Sequence, residues 1–209
     1  MAGFDYLRAP GAIIKRSMEI ARDEADCVGV PDALLGLALR LVHASGDPTL
    51  PRRLRVGGAP AAAMAQALAS GTTVLADAQM VAHGIDRARL KGGRVLCTLG
   101  LGTVRAAAER AGETRSAAAV ELWRPWLAGA IVAIGTAPTA LFRLLEGLEA
   151  GWPRPALIIG MPVGAVGAAE AKQALIDHSA DIPYVTLTGR AGGSALAAAA
   201  VNALADARI

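Results

Sequence analysis

The sequence predicts a three-layer α/β/α fold built on a mainly parallel five-stranded sheet and preceded by N-terminal helices. Three observations predict it. Five short apolar runs recur along the chain: TTVLAD (72–77), RVLCTL (94–99), AIVAIG (130–135), ALIIG (156–160) and YVTLT (184–188). They are rich in β-branched residues and lack polar alternation, which is the pattern of strands covered on both faces. Helical stretches separate them, as crossovers between parallel strands require.

The elements follow in order. Pro10 sits in the first turn of a helix through IIKRSMEIARDEAD, with Ile13, Ile14, Met18 and Ile20 on its apolar side. Pro31 opens PDALLGLALRLVHAS, which ends near Gly46. The two prolines of DPTLPRR mark a loop, and PAAAMAQALAS forms a third helix from Pro60 to a stop at Gly71. Further on, RSAAAVELWRPWLAG, PTALFRLLEGLEAG and GAAEAKQALIDHS read as crossover helices, and GGSALAAAAVNALADA as the last helix. No linker or internal repeat divides the chain, so a single domain over 1–209 is expected.

Composition narrows the function classes. The hydrophobic fraction is 54% but aromatics are only 3%, so the core must come from Leu, Val, Ile and close packing around alanine. The net charge of +3 is scattered, with no basic run interleaved with aromatics, so nucleic-acid binding has no footprint. Cys27 and Cys97 stand far from any second Cys or His at ligand spacing, which argues against a disulfide framework or a zinc site and for a reducing cytoplasm. The first residues, broken by charges, Pro and Gly, do not read as a signal peptide. No uninterrupted apolar run reaches the length of a membrane span, and Arg40 interrupts the best candidate, so no span is expected.

In open α/β sheets ligands sit outside the carboxyl ends of the strands, which here directs attention to 77–79, 135–138, 160–164 and 189–193. The stretch GMPVGAVGAAE follows a strand and precedes a helix. Its glycines at 160, 164 and 167 depart from G-x-G-x-x-G, and no acidic residue ends the next strand, so a nicotinamide or flavin site is disfavoured. The G-x-S-x-G, Walker and H-E-x-x-H signatures are absent from the sequence. Of three histidines, His178 lies near a helix end, where a solvated role is expected, and His83 follows the first strand. His43 comes three residues after Arg40, which places an imidazole and a guanidinium on adjacent parts of one helix face. Position alone leaves His43 open between acid–base catalyst and hydrogen-bonded structural residue.

The strings RSMEI, LRLVHASGD, DAQMVAHGI, TRSAAA, LAGAIVAIGTAPTALFRLLE, GMPVGAVGAAEAK and GRAGGSALAAAAVNALA occur in this order over essentially the whole chain. Together they resemble the signature segments of the precorrin-8X methylmutases of cobalamin biosynthesis. The resemblance implies a flavodoxin-like domain acting as a cytoplasmic homodimer, with each site near the subunit interface. It implies an isomerase that shifts a methyl group between adjacent carbons of ring C of precorrin-8X, a tetrapyrrole, to give hydrogenobyrinic acid. The methyl never leaves the substrate, so no S-adenosylmethionine, other cofactor or metal is expected.

By the same resemblance His43 is the general acid and Ser17 and Arg40 contact substrate. The substrate carries several acetate and propionate arms, and His83, Arg115, Ser116, Arg190 and Ser194 are further candidate contacts. Arg115 could instead only open a helix, and Ser194 only cap one. The pattern departs from the family at Thr136, where Asn is expected, and at Ala165 and Ala191, where bulkier residues are common. MVAHGI with His83 resembles the oxygen-dependent branch. The competing readings are the same shift on a cobalt-containing substrate of the anaerobic route, a non-catalytic tetrapyrrole carrier, and a nucleotide-dependent Rossmann-type enzyme.

Overall fold

Six strands form one sheet in the computed structural model, which describes residues 4–179 and 181–206. Five of them are the predicted runs: β2 (Thr73–Ala76), β3 (Arg94–Leu96), β4 (Ile131–Ile134), β5 (Leu157–Gly160) and β6 (Tyr184–Leu187). The sixth, β1 (Leu54–Gly57), pairs antiparallel with β6, Leu54 opposite Leu187. The order is β1-β6-β5-β4-β2-β3, with every pair but the first parallel. The order therefore reverses at β2, whose two neighbours are β3 and β4, and this crevice is the topological switch point.

The continuous apolar runs are explained by what covers them. Ile131 and Ala133 of β4 face one layer, together with Val74, Ile159 and Val185. That layer holds α2 (Leu35–Ser45), α3 (Pro60–Ala69), α4 (Gln79–Gly84) and α9 (Ser194–Ala205). Val132 and Ile134, with Leu75 and Ile158, face the other layer, which holds α6 (Arg115–Glu121), α7 (Pro138–Glu149) and α8 (Ala168–His178). Both faces being dry, each fully buried Ile, Leu or Val contributes roughly 1.5–3 kcal/mol.

Alanine does what the composition implied. Eight residues of α9, five of them alanine, are buried, and this helix packs against α2, α3 and α4 at short range. A methyl group on Gly84 would come within 2.7 Å of the Ala198 Cβ, so glycine ends α4 where α9 passes.

Several elements differ from expectation. The stretch RSAAAVELWRPWLAG is helical only over α6; its second half is a 3-10 turn, Arg124–Trp126, ahead of β4. Pro125 cannot donate to a continuing helix, and Trp123 is buried with its Nε1 donating to Thr98 Oγ1 at 3.0 Å. A helix α5 (Gly102–Ala111) precedes α6, and α4 follows β2; neither stood out in the sequence. The first helix, α1 (Pro10–Glu24), buries only Ala21 and packs on α2. Among the described residues no helix is long and apolar enough to cross a membrane.

Candidate active site

His43 stands in the last turn of α2, which Gly46 ends in a left-handed conformation (φ 69°). The buried face of α2, Leu37, Ala38, Leu41 and Val42, fixes the helix against α9 and α1. His43 is thereby carried on the exposed side, where its Nδ1 lies 2.6 Å from the Ser17 hydroxyl of α1. Arg40, one turn earlier, lies 3.5 Å from Asp206 just past the C-terminal end of α9. Ser17, Arg40 and His43 are thus gathered in one corner.

That corner holds a cavity of about 670 Å³ lined by Arg22 of α1, Arg40 of α2, Asp86 and Arg89 from the link between α4 and β3, and Asp206. A smaller compartment of about 190 Å³ shares Arg40, Asp86, Arg89 and Ala203 with it and reaches His43. Arg89 lies 2.9 Å from Asp86 and 2.6 Å from Asp206. The bond to Asp206 keeps the guanidinium more firmly charged than usual; partial burial opposes this and the bond to Asp86 adds to it. Asn202 of α9 places this link: its Oδ1 accepts from the Asp86 N–H at 2.8 Å and its Nδ2 donates to the Gly84 carbonyl at 2.9 Å.

The corner is not at the strands' carboxyl ends, where the sequence reading placed the ligand. α9 starts there, with Ser194 beside Thr136 just beyond β4, and runs back along the sheet. Its twelve residues span about 18 Å. Asp206 and the cavity therefore lie about that far from the switch point.

The switch point itself is filled from within. Asp77, only 3% exposed, accepts backbone N–H bonds from Gly135 (3.0 Å), Thr136 (2.9 Å) and Ala137 (2.9 Å). Burial pushes its carboxyl pKa up, against the downward pull of those three bonds. This nest of amides is the place where an open α/β sheet would hold a phosphate, and the chain's own carboxylate occupies it.

The remaining candidates fall elsewhere. Ser194 is the first residue of α9, but it makes no cap; its hydroxyl pairs with Thr136 Oγ1 at 2.8 Å. Arg115 and Ser116 open α6, capped by Thr114, and Arg115 borders a cleft shared with α5 residues, none of which lines the His43 corner. Arg190 is exposed in the loop after β6, and His83 is exposed on α4. His178 lies 3.4 Å from Glu149.

Sequence reasoning missed Arg22, Asp86, Arg89, Asn202 and Asp206. The one local signal was the three-residue spacing of Asp86 and Arg89. It also missed Lys172 of α8, whose buried ammonium donates to the Ala191 carbonyl in the glycine-rich loop after β6. Burial, with the charge of Arg53 second, lowers its pKa to about 8. Among the described residues no group of three or more His, Cys, Asp or Glu is arranged to hold a metal ion.

A doubly wound α/β domain that sets a hydroxyl-held imidazole beside a cavity lined by three arginines and two aspartates defines a class of protein with groups for acid–base work on a charged small molecule. Residues 12–207 match the family model described as precorrin-8X methylmutase. The precorrin-8X methylmutase of Pseudomonas aeruginosa is 52% identical over 98% of this chain and 99% of its own length. That of a Sinorhizobium species is 49% identical, with 98% of each covered. The crystal structure of the precorrin-8X methylmutase from Thermus thermophilus superposes with a TM-score of 0.84 at 36% identity, over 93% of this chain and 94% of that one. The chain belongs to the precorrin-8X methylmutase family.

Proposed function

We propose that this isomerase converts precorrin-8X to hydrogenobyrinic acid by an intramolecular methyl shift on ring C, with His43 as general acid and base. The observation that carries the reading is the Ser17–His43 pair at 2.6 Å beside the cavity that Arg22, Arg40 and Arg89 line. Family membership supplies the substrate class.

The chemistry asks little of the protein. One carbon–methyl bond breaks and another forms on the adjacent carbon, so no atom is gained or lost. Protonating a ring nitrogen makes the conjugated system more electron-poor and favours migration, and the same proton is recovered afterwards. Nδ1 faces Ser17, so Nε2 is the nitrogen that exchanges the proton. When the imidazolium has given up its Nε2 proton, Nδ1–H donates to Ser17 Oγ, and the Ser17 hydrogen is free for a substrate oxygen. General acid catalysis of this kind contributes roughly 10²–10⁴ in rate. Arg40 pairs with a peripheral carboxylate.

We propose further that the chain acts as one domain over 1–209 and as a cytoplasmic homodimer. Ile13 and Ile14 of α1 are 44% and 52% exposed, an apolar face suited to a second copy. Ser17 is on the same helix, so such packing brings each site near the interface. It also offers a route by which Arg115, Ser116, Arg190, Ser194 and His83 of one copy could serve the site of another.

An absorbance time course tests the function. Precorrin-8X and its cobalt-containing counterpart are each mixed with the protein. Progressive conversion of the cobalt-free substrate to the hydrogenobyrinic acid spectrum is expected. Turnover of the cobalt form alone would assign the protein to the anaerobic route, and a spectrum that shifts once and then stays constant would make it a carrier.

A further inference from the structure

We infer that Arg89 is a substrate-binding residue that anchors a peripheral carboxylate of the tetrapyrrole, and that Asp206 is the built-in counter-ion with which that carboxylate competes. The inference rests on the active-site reading above and extends it to residues no resemblance pointed to.

Arg89 is placed as an anchor must be. It lines both compartments, the larger cavity and the smaller one that reaches His43, as Arg40 does. Its guanidinium is held from two sides, Nε on Asp86 at 2.9 Å and Nη1 on Asp206 at 2.6 Å. Asp86 is in turn fixed by Asn202, so the fork is set before any ligand arrives. Pre-setting a long side chain removes part of the ordering cost that binding would otherwise carry. The side chain remains 31% exposed, so ligand can reach it.

Asp206 has the position of a stand-in ligand. One of its oxygens, Oδ2, faces both Arg40 at 3.5 Å and Arg89 at 2.6 Å. A substrate carboxylate directed at the same two arginines therefore meets an occupied pair and must displace or share that oxygen. Among the described residues, Arg22, Arg40 and Arg89 face Asp86 and Asp206 around the larger cavity, one more positive than negative charge. Losing Asp206 strengthens the attraction for a polyanion, whereas losing Arg89 removes an attachment that ground state and transition state share.

Steady-state turnover of precorrin-8X separates these roles from a purely structural one. Wild type, Arg89→Met, Arg89→Lys and Asp206→Asn are compared, each first shown by circular dichroism to be folded. Arg89→Met is expected to raise KM about 10–100-fold with kcat within about threefold, because a charge-assisted bond common to both states is lost. Arg89→Lys keeps the charge without the fork and falls between. Asp206→Asn is expected to lower KM about 3–10-fold. A wild-type KM for Arg89→Met overturns the anchor, and a raised KM for Asp206→Asn overturns the counter-ion. His43→Ala is run beside them. If it is inactive while Arg89→Met keeps its KM, the inference alone fails; if it turns over like wild type, the underlying site reading fails.

Discussion

The Ser17 hydroxyl and the His43 Nδ1 stand 2.6 Å apart although 26 residues separate them in the chain. The contact exists because α1 rests on α2 through Met18, Ala21, Leu39 and Val42. It joins the orientation of the imidazole to the packing of two helices.

Ser17→Ala leaves Nδ1 without the oxygen that fixes ring and tautomer, so kcat is expected to fall about 10–100-fold with a smaller change in KM. Steady-state kinetics on precorrin-8X checks it. Unchanged kcat would reduce Ser17 to a surface hydroxyl.

Asp77 gives a stability prediction. Asp77→Ala leaves the Gly135, Thr136 and Ala137 amides without their acceptor; the first is buried and the other two part-buried. At about 1–3 kcal/mol for a fully buried donor and less for the others, a loss of roughly 2–4 kcal/mol is expected. Urea unfolding measures it. The occupied nest also predicts a flat calorimetric titration of the wild-type protein with NAD or FAD.

Lys172 gives a pH dependence whose sign is fixed. Its folded pKa, about 8, lies below the ordinary value of 10.5, so between these pH values the unfolded chain binds more protons and stability rises with pH. The contribution is complete above pH 10.5 and is lost as pH falls through 8. Relative to Lys172→Met, the wild-type unfolding free energy is expected to gain about 3 kcal/mol from pH 7 to pH 10.5, at roughly 1.4 kcal/mol per pKa unit. Urea melts across this range test it, and a flat difference would contradict it.

The parts of the fold legible in the sequence are those set by local pattern. Ile131–Ile134 and Leu157–Gly160 are buried at every position, and an unbroken apolar run reports that directly. β1 escaped because Leu54–Gly57 has one buried residue and becomes a strand only through pairing with β6. α5 escaped because only Val104 and Ala108 of it are buried. In the candidate site, Ser17, Arg40 and His43 were reached through resemblance, and the Arg40–His43 spacing alone was visible locally. Arg89 and Asp206 lie 117 residues apart and meet only because α9 runs the length of the sheet. No spacing rule reports such a contact. The general rule for open sheets points to the carboxyl edge of the strands, and no local pattern reports that Asp77 fills the switch point there.

The role of His43 is tested most directly by the absorbance time course of precorrin-8X with His43→Ala beside the wild-type protein. The variant is expected still to perturb the substrate spectrum on binding while conversion falls by about 10²–10⁴. Conversion by His43→Ala at the wild-type rate would contradict the assignment of His43 as the acid.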